Sequence, residues 1–214
     1  MQLYLIRHAQ SQNNALPQHE RIEDPPLTDM GIQQARCLAD WIDCEKFTRL
    51  ITSPFLRTLE TAKAIHETTG LVPEIWVELH ELGGCYSGHV LDNIVGRPGL
   101  TRSDISNRFP GFQIPDEIDG DGWWGSKPHE DVDLAKSRAM KLHRRTIDTF
   151  AHTDECVAYV MHGDFKLLFL DCFKAESFEV ANNAAVSKIT IEEGVARLEL
   201  FNYTDHLTDD LISR

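Results

Sequence analysis

The chain of 214 residues is 42% hydrophobic and 26% charged, the balance of a globular protein with a sizeable core, which excludes wholesale disorder. Its formal net charge of -13 speaks against a nucleic-acid partner and against long-range steering of anions, so an anionic ligand has to be held by a few arginines gathered locally. No run nears the roughly 18 apolar residues of a membrane span, and the odd set Cys37, Cys44, Cys85, Cys156 and Cys172, without CxxC spacing, points to reduced, mostly buried thiols.

The chain opens directly on MQLYLIRHA, without the basic region and cleavage site of a secretory signal, so a cytoplasmic location is expected. Leu3 to Ile6 is a continuous apolar run, the pattern of a strand covered on both faces. PLTDMGIQQARCLADWI follows, with Thr28 as an N-cap and Ile32, Ala35, Leu38 and Ile42 at helical spacing. Arg49 to Thr52 forms a second strand. In SPFLRTLETAKAIHETTG, Ser53 is expected to cap a helix, Pro54 to occupy its first position and Gly70 to stop it. EIWVEL reads as a third strand and Cys156 to Met161 as a fourth, leading through HGDF into the apolar helix KLLFLDCF. SKITIEEGVARLEL reads as a hairpin at the sheet edge, turning at Glu193 and Gly194.

Strands alternating with helices imply an α/β fold, a doubly wound, mostly parallel sheet flanked by helices. Residues 89–150 break that rhythm and are expected to form a cap inserted over the carboxyl ends of the strands, within a single domain spanning 1–214. Its one clear helix carries Val132, Ala135, Ala139, Leu142, Thr146 and Phe150 on one face. Trp123 and Trp124 read as the insertion's own small core rather than as an aromatic lid, and Arg97, Arg102 and Arg108 as solvated cations.

Ligands of open α/β sheets bind beyond the carboxyl ends of the strands. Arg7 and His8 close the first strand, Arg57 lies early in the helix after the second, and His162 follows the fourth, with Gly163 permitting close backbone approach. These groups suit attack on a phosphoryl group: a neutral imidazole as nucleophile, and guanidinium forks on the equatorial oxygens. His162 would add a donor to those oxygens or orient the nucleophile. The leaving oxygen needs a proton, and Glu78 and Glu81 in VELHELGG are both candidates for a carboxylic acid of raised pKa. Arg57 could instead pair on the surface with Glu60 or Glu67, and His162 could be a core histidine. The histidines His19, His66, His80, His89, His129, His143, His152 and His206 lack metal-ligand spacing and read as surface or packing residues.

Five segments, in order, resemble the histidine phosphatase superfamily of phosphoglycerate mutase-like fold: LIRHAQS with Asn14, PLTDMGIQQA, SPFLRTLETA, LHELGG and MHGDF. The resemblance implies that His8 is the phosphorylated nucleophile and that Arg7, Arg57 and His162 form the phosphate pocket. It also implies Glu81 as proton donor, Ser11, Asn14 and Gly163 at the substrate, a small phosphorylated substrate, and neither metal nor cofactor. Ala9 stands where the family has glycine and Gln10 where it often has glutamate, and the glycine-rich stretch after Glu81 is short, LGGCYSG. The reaction expected first is hydrolysis of a phosphomonoester. Mutase-type transfer ranks second because the chain is short for that group, and a phosphate-binding protein without turnover, motivated by Ala9 and Gln10, ranks third.

Overall fold

The computed structural model describes residues 1–43, 46–88, 93–174 and 179–214. In chain order its elements are β1 (Gln2–Arg7), α1 (Gln12–Ala15), α2 (Asp29–Asp43), β2 (Arg49–Thr52), α3 (Leu56–Thr69), β3 (Pro73–Ile75), β4 (Tyr86–Ser87), β5 (Val95–Gly96), α4 (Arg102–Arg108), α5 (Val132–Phe150), β6 (Cys156–Met161), α6 (Gly163–Asp171), β7 (Val186–Glu192) and β8 (Val195–Tyr203). One sheet has the order β3-β2-β6-β1-β7-β8; its first four strands are parallel and the hairpin β7–β8 is antiparallel at one edge. β4 and β5 form a separate two-stranded ribbon.

Alternation within the buried strands divides the core into two layers. Tyr4, Ile6, Leu50, Ala158 and Val160 face α2 and α3 through Leu38, Ile42, Leu59 and Ile65. Leu3, Leu5, Ile51, Val157 and Tyr159 face α5 and α6 through Ala139, Leu142, Phe150, Phe165 and Phe169. The expected cap of residues 89–150 therefore needs narrowing: α5 is a covering layer of the sheet. Trp123 and Trp124 also join the main core, Trp123 packing against Phe55 at 4.7 Å between ring centroids, so they are no separate cluster.

Several local expectations shift for identifiable reasons. Thr28 caps α2 by accepting from the Gly31 amide at 3.0 Å. Ile32 is 42% exposed while Gln34 is fully buried, because the first turn of α2 packs edge-on against the Gln10 backbone, where a side chain at Gly31 would collide. α3 begins at Leu56 rather than at Pro54, with Phe55 as its N-cap. The cap oxygen comes from Asp24, which accepts from the Leu56 amide at 2.8 Å. The third strand ends at Ile75 and passes into a 3-10 turn at Val77–Leu79. α4, capped by Thr101 with Asp104 in a reciprocal capping box, is a short helix absent from the periodicity reading. Cys85 is buried and its thiol is pushed up to about 12 by burial, whereas Cys37, Cys156 and Cys172 are half-buried; Cys44 and His89 lie outside the described residues. Among the described residues no helix is long and apolar enough to cross a membrane.

The β7–β8 turn places both Glu193 (φ 50) and Gly194 (φ 76) in the left-handed region, the geometry that favours asparagine followed by glycine. Glu193→Asn should raise stability by about 0.5–1 kcal/mol and Gly194→Ala lower it by about 1 kcal/mol. A shift of the urea midpoint at constant m-value is the measurement.

Candidate active site

The register brings three strand ends to within one residue of each other. Arg7 pairs with Met161 and Thr52 with Val160, so His8, His162 and Ser53 emerge side by side from β1, β6 and β2. His8 Nδ1 lies 2.7 Å from the Ala9 carbonyl, which can only accept; the proton therefore sits on Nδ1 and the lone pair on Nε2. Arg57 Nε donates to that Nε2 at 3.2 Å. Burial, and then the charges of Arg57 and Arg7, hold the His8 imidazole well below its usual pKa, so it is neutral. His162 lies behind it, its ring centroid 5.2 Å away, with Nε2 bonded to Ser53 Oγ at 2.8 Å and a buried Nδ1 that has no partner among the described residues.

Arg7 is anchored by donation from Nη1 to the Ala181 carbonyl at 2.5 Å, while its buried Nε has no partner among the described residues. A side chain at Gly163 would meet Val180 and crowd Arg7, so Gly163 serves the guanidinium rather than lining the cavity. Arg57 does not pair with Glu60 or Glu67; those carboxylates lie near Arg108 and Lys63. Its partner is Asp24, 3.9 Å from Nη1, a buried carboxyl whose pKa is raised to about 7 chiefly by desolvation, against the pull of Arg57 and the Leu56 amide. Ser11 and Asn14 form a reciprocal cap in which Asn14 Oδ1 accepts from the Ser11 amide (3.0 Å) and hydroxyl (2.8 Å), leaving the Asn14 amide protons to the cavity side. Ala9 is fully buried, its amide donating to Thr61 Oγ1, and Gln10 is tied through its amide to Gln34.

Glu81 Oε1 accepts from the amides of Leu82 and Phe165, both at 2.9 Å, which joins the carboxyl to the first turn of α6. Burial, then the nearby charge of Asp164, nevertheless raise its pKa above the usual carboxylate range. The loop that carries it is clamped from α5. Arg138 donates to the carbonyls of Glu78 (2.7 Å) and His80 (2.9 Å), pairs with Glu130 at 2.5 Å and stacks on Phe165. Glu78 itself points away to Arg145, at 2.8 Å, and lines no part of the cavity.

A cavity of about 390 Å³ brings Arg7, His8, Ser11, Asn14, Arg57 and Glu81 together. His162 supports it from behind. Arg97, Arg102 and Arg108 lie elsewhere: Arg102 is bound to the Ile118 and Pro115 carbonyls and Arg97 to Ser87. Sequence reasoning missed Arg21, Tyr86, His129, Asp164 and Arg214 on the wall, and Asp24 behind it. His129, read as a surface or packing residue, packs edge-on against Tyr86. None of these residues belongs to a periodic pattern that would have announced it. Among the described residues no group of three His, Cys, Asp or Glu side chains is placed to hold a metal ion.

Two expectations follow from the buried charges. Between the ordinary value of 3.8 and about 7, folded Asp24 retains a proton that the unfolded chain releases, so its contribution makes stability fall as pH rises through that window. Asp24→Asn should flatten this slope in denaturation curves taken from pH 4 to pH 8. Glu130→Ala leaves Arg138 buried without its carboxylate and should cost about 3–5 kcal/mol, read by thermal or urea unfolding.

Comparison with known proteins places this geometry in context. A probable phosphoglycerate mutase GpmB of Photorhabdus laumondii is 33% identical over 116 residues, and one of Yersinia pestis 32% over 117; each match covers 54% of either chain, so it spans about half the length of these curated relatives. Among solved structures, a mycobacterial glucosyl-3-phosphoglycerate phosphatase aligns with TM-score 0.65 at 21% identity, covering 95% of this chain and 99% of the other. Bacillus stearothermophilus YhfR gives 0.68 at 22%, covering 96% and 98%. A phosphoserine phosphatase of Entamoeba histolytica gives 0.66 at 21%, covering 97% and 99%. These likenesses are of fold. The family model for branch 1 of the histidine phosphatase superfamily matches residues 3–204, and the chain belongs to that superfamily.

Proposed function

We propose that the protein is a phosphomonoesterase that hydrolyses a small phosphorylated metabolite through a phosphohistidine on His8, in the cytoplasm and without a metal. The observation that carries this reading is the fixed tautomer: Nδ1 is held by the Ala9 carbonyl, so the neutral imidazole presents the Nε2 lone pair to the cavity. In the first step Nε2 forms the N–P bond as the ester P–O bond breaks in line, and the leaving oxygen takes a proton from the Glu81 carboxyl, whose pKa burial raises. Arg7, Arg57 and the Asn14 amide spread over the equatorial oxygens, Arg57 exchanging its hydrogen bond to Nε2 for one to phosphate. Ionised Glu81 then takes a proton from water as water attacks phosphorus, releasing phosphate and restoring His8. His162, held by Ser53, acts as a rigid backing for the nucleophile, and Ser11 orients Asn14.

The names of the curated relatives support a second reading, in which the phosphoryl group returns to another hydroxyl of the substrate. Hydrolysis is put first because the solved structures sharing this fold include proteins named as phosphatases. A third reading, a phosphate-binding protein without turnover, would require the proposed reacting groups to be idle.

Wild type and His8→Ala compared on a phosphomonoester panel test the proposal. Phosphate release should be abolished in His8→Ala, and acid-labile phosphate should be trapped on His8 of wild type. Glu81→Gln should lower kcat by about 10²–10⁴-fold on alkyl phosphates, and far less on p-nitrophenyl phosphate, whose leaving group needs no proton. Conversion of 3-phosphoglycerate to 2-phosphoglycerate without free phosphate would favour the mutase. Absence of both turnover and phosphohistidine would leave the binding protein.

A further inference from the structure

Glu81 stands in a loop with little to hold it from within. Its side chain is fastened to the first turn of α6, where Oε1 accepts from the Leu82 and Phe165 amides, both at 2.9 Å. With Oε1 filled by two N–H groups, Oε2 is the oxygen left to carry an acid proton. Gly83 and Gly84 follow at φ 94 and φ 74, left-handed backbone with no side chain to anchor it. The His80 amide bonds the Val77 carbonyl and the Gly84 amide bonds the Glu81 carbonyl, both at 3.1 Å. Those bonds close turns without tying them to the body of the protein.

The tie comes from α5 and the residue just before its cap. Arg138 Nη1 donates to the carbonyls of Glu78 at 2.7 Å and His80 at 2.9 Å, on the approach to Glu81. The Glu130 amide donates to the Gly83 carbonyl at 3.0 Å, on the other side. These two holders are joined in turn: Arg138 Nε and Nη2 donate to the two Glu130 oxygens at 2.9 and 2.5 Å, a fork whose side chains are only 10% and 8% exposed. The same guanidinium lies 3.7 Å from the centroid of the Phe165 ring, and Phe165 is the residue whose amide bonds Oε1. One side chain thus grips the backbone before Glu81, the partner that grips the backbone after it, and the ring of the residue that bonds its carboxyl. An ion pair that merely stabilised α5 would have no need of contacts on both sides of one carboxyl.

We propose that Arg138, held by Glu130, is a positioning residue for the proton donor: it fixes the Glu81 carboxyl against the Phe165 amide so that Oε2 meets the leaving oxygen. The inference rests on the phosphomonoesterase reading and assigns the alignment of the donor to a residue that does not line the cavity. In the step concerned the P–O bond breaks, its electron pair stays on the leaving oxygen, and the Oε2 proton moves to that oxygen. Misalignment therefore matters only where the leaving group needs the proton. Lysine has the charge but neither the fork nor the flat face, so Arg138→Lys keeps a cation beside Glu130 while releasing the loop.

The test compares kcat/KM, which covers the steps through formation of the phosphohistidine, on an alkyl phosphate and on p-nitrophenyl phosphate. Arg138→Lys should lower it about 10–100-fold on the alkyl ester and by less than about threefold on p-nitrophenyl phosphate. Added to Glu81→Gln, the same substitution should cost nothing further on the alkyl ester, because the aligned proton is already gone. Arg138→Met combined with Glu130→Gln, which removes both charges together, should give the same split. Arg145→Lys, on the same helix and paired with the Glu78 carboxylate, should leave the ratio of the two substrates unchanged. No loss on the alkyl ester, an equal loss on both esters, a further loss in the Glu81→Gln background, or the same split from Arg145→Lys would reduce Arg138 to a structural role and leave the phosphomonoesterase reading intact. Amide hydrogen exchange reads the alignment without turnover. In Arg138→Lys the Leu82 and Phe165 amides should exchange about tenfold faster, and the Lys166 amide, bonded to the His162 carbonyl, at its wild-type rate. Unchanged exchange at both would overturn the proposal. Faster exchange there, in a protein with neither turnover nor phosphohistidine, would remove the hydrolase reading and leave the positioning of Glu81 by Arg138 standing.

Discussion

The hydrogen bond from Arg57 Nε to His8 Nε2 is the constraint around which the cavity is organised. The two residues come from β1 and from the helix after β2, strands that are not neighbours, since β6 lies between them. For the contact to form, the three strands must end close together, and the register of Arg7 with Met161 and of Thr52 with Val160 brings their ends to within one residue of each other. His162 then occupies the gap at the end of the middle strand, and Ser53 Oγ fixes its Nε2. A one-residue slip of β2 against β6 would exchange the two faces of the strand and turn Ile51, a core side chain, toward the opposite layer. Geometry at the site is therefore protected by the same packing that stabilises the sheet.

Electrostatics and burial act together there. An imidazole beside two guanidinium groups in a low-dielectric pocket cannot carry a proton on both nitrogens, and the Ala9 carbonyl decides which nitrogen keeps the one it has. The opposite pressure applies to Glu81 and Asp24, where desolvation favours the neutral acid despite nearby arginines. Burial thus pushes the base and the acids in opposite directions, the imidazole pKa down and the carboxyl pKa values up. The arginines supply a local excess of positive charge that the chain as a whole lacks.

Much of this was legible in the sequence because it is written in local patterns. Apolar runs ending in Arg7–His8 and in His162 marked two strands and what their ends deliver, and the ordered motifs identified the family. What escaped notice depends on contacts between distant segments. Ser53 looked like a cap because it precedes a helix, yet its hydroxyl is committed to His162 and the cap comes from Asp24. The helix Val132–Phe150 showed its apolar face clearly, but no pattern says whether such a face covers a sheet or a cap. Arg21, His129 and Arg214 stand in irregular segments, where exposure on a cavity wall has no periodic signature. Arg138 carried no signal either, since clamping two carbonyls sixty and fifty-eight residues away requires only a long side chain in the right place.

Capping of α3 by Asp24 also bears on the order of events during folding. Thirty-two residues separate that carboxyl from the Leu56 amide it receives. Most of the helix can wind from its own sequence on the timescale of local contacts, but its opening turn, which aims Arg57, closes only when the loop before α2 has docked. The aim of the Arg57 guanidinium is thus set by tertiary docking of a distant loop, and the sequence of the helix that carries it does not suffice.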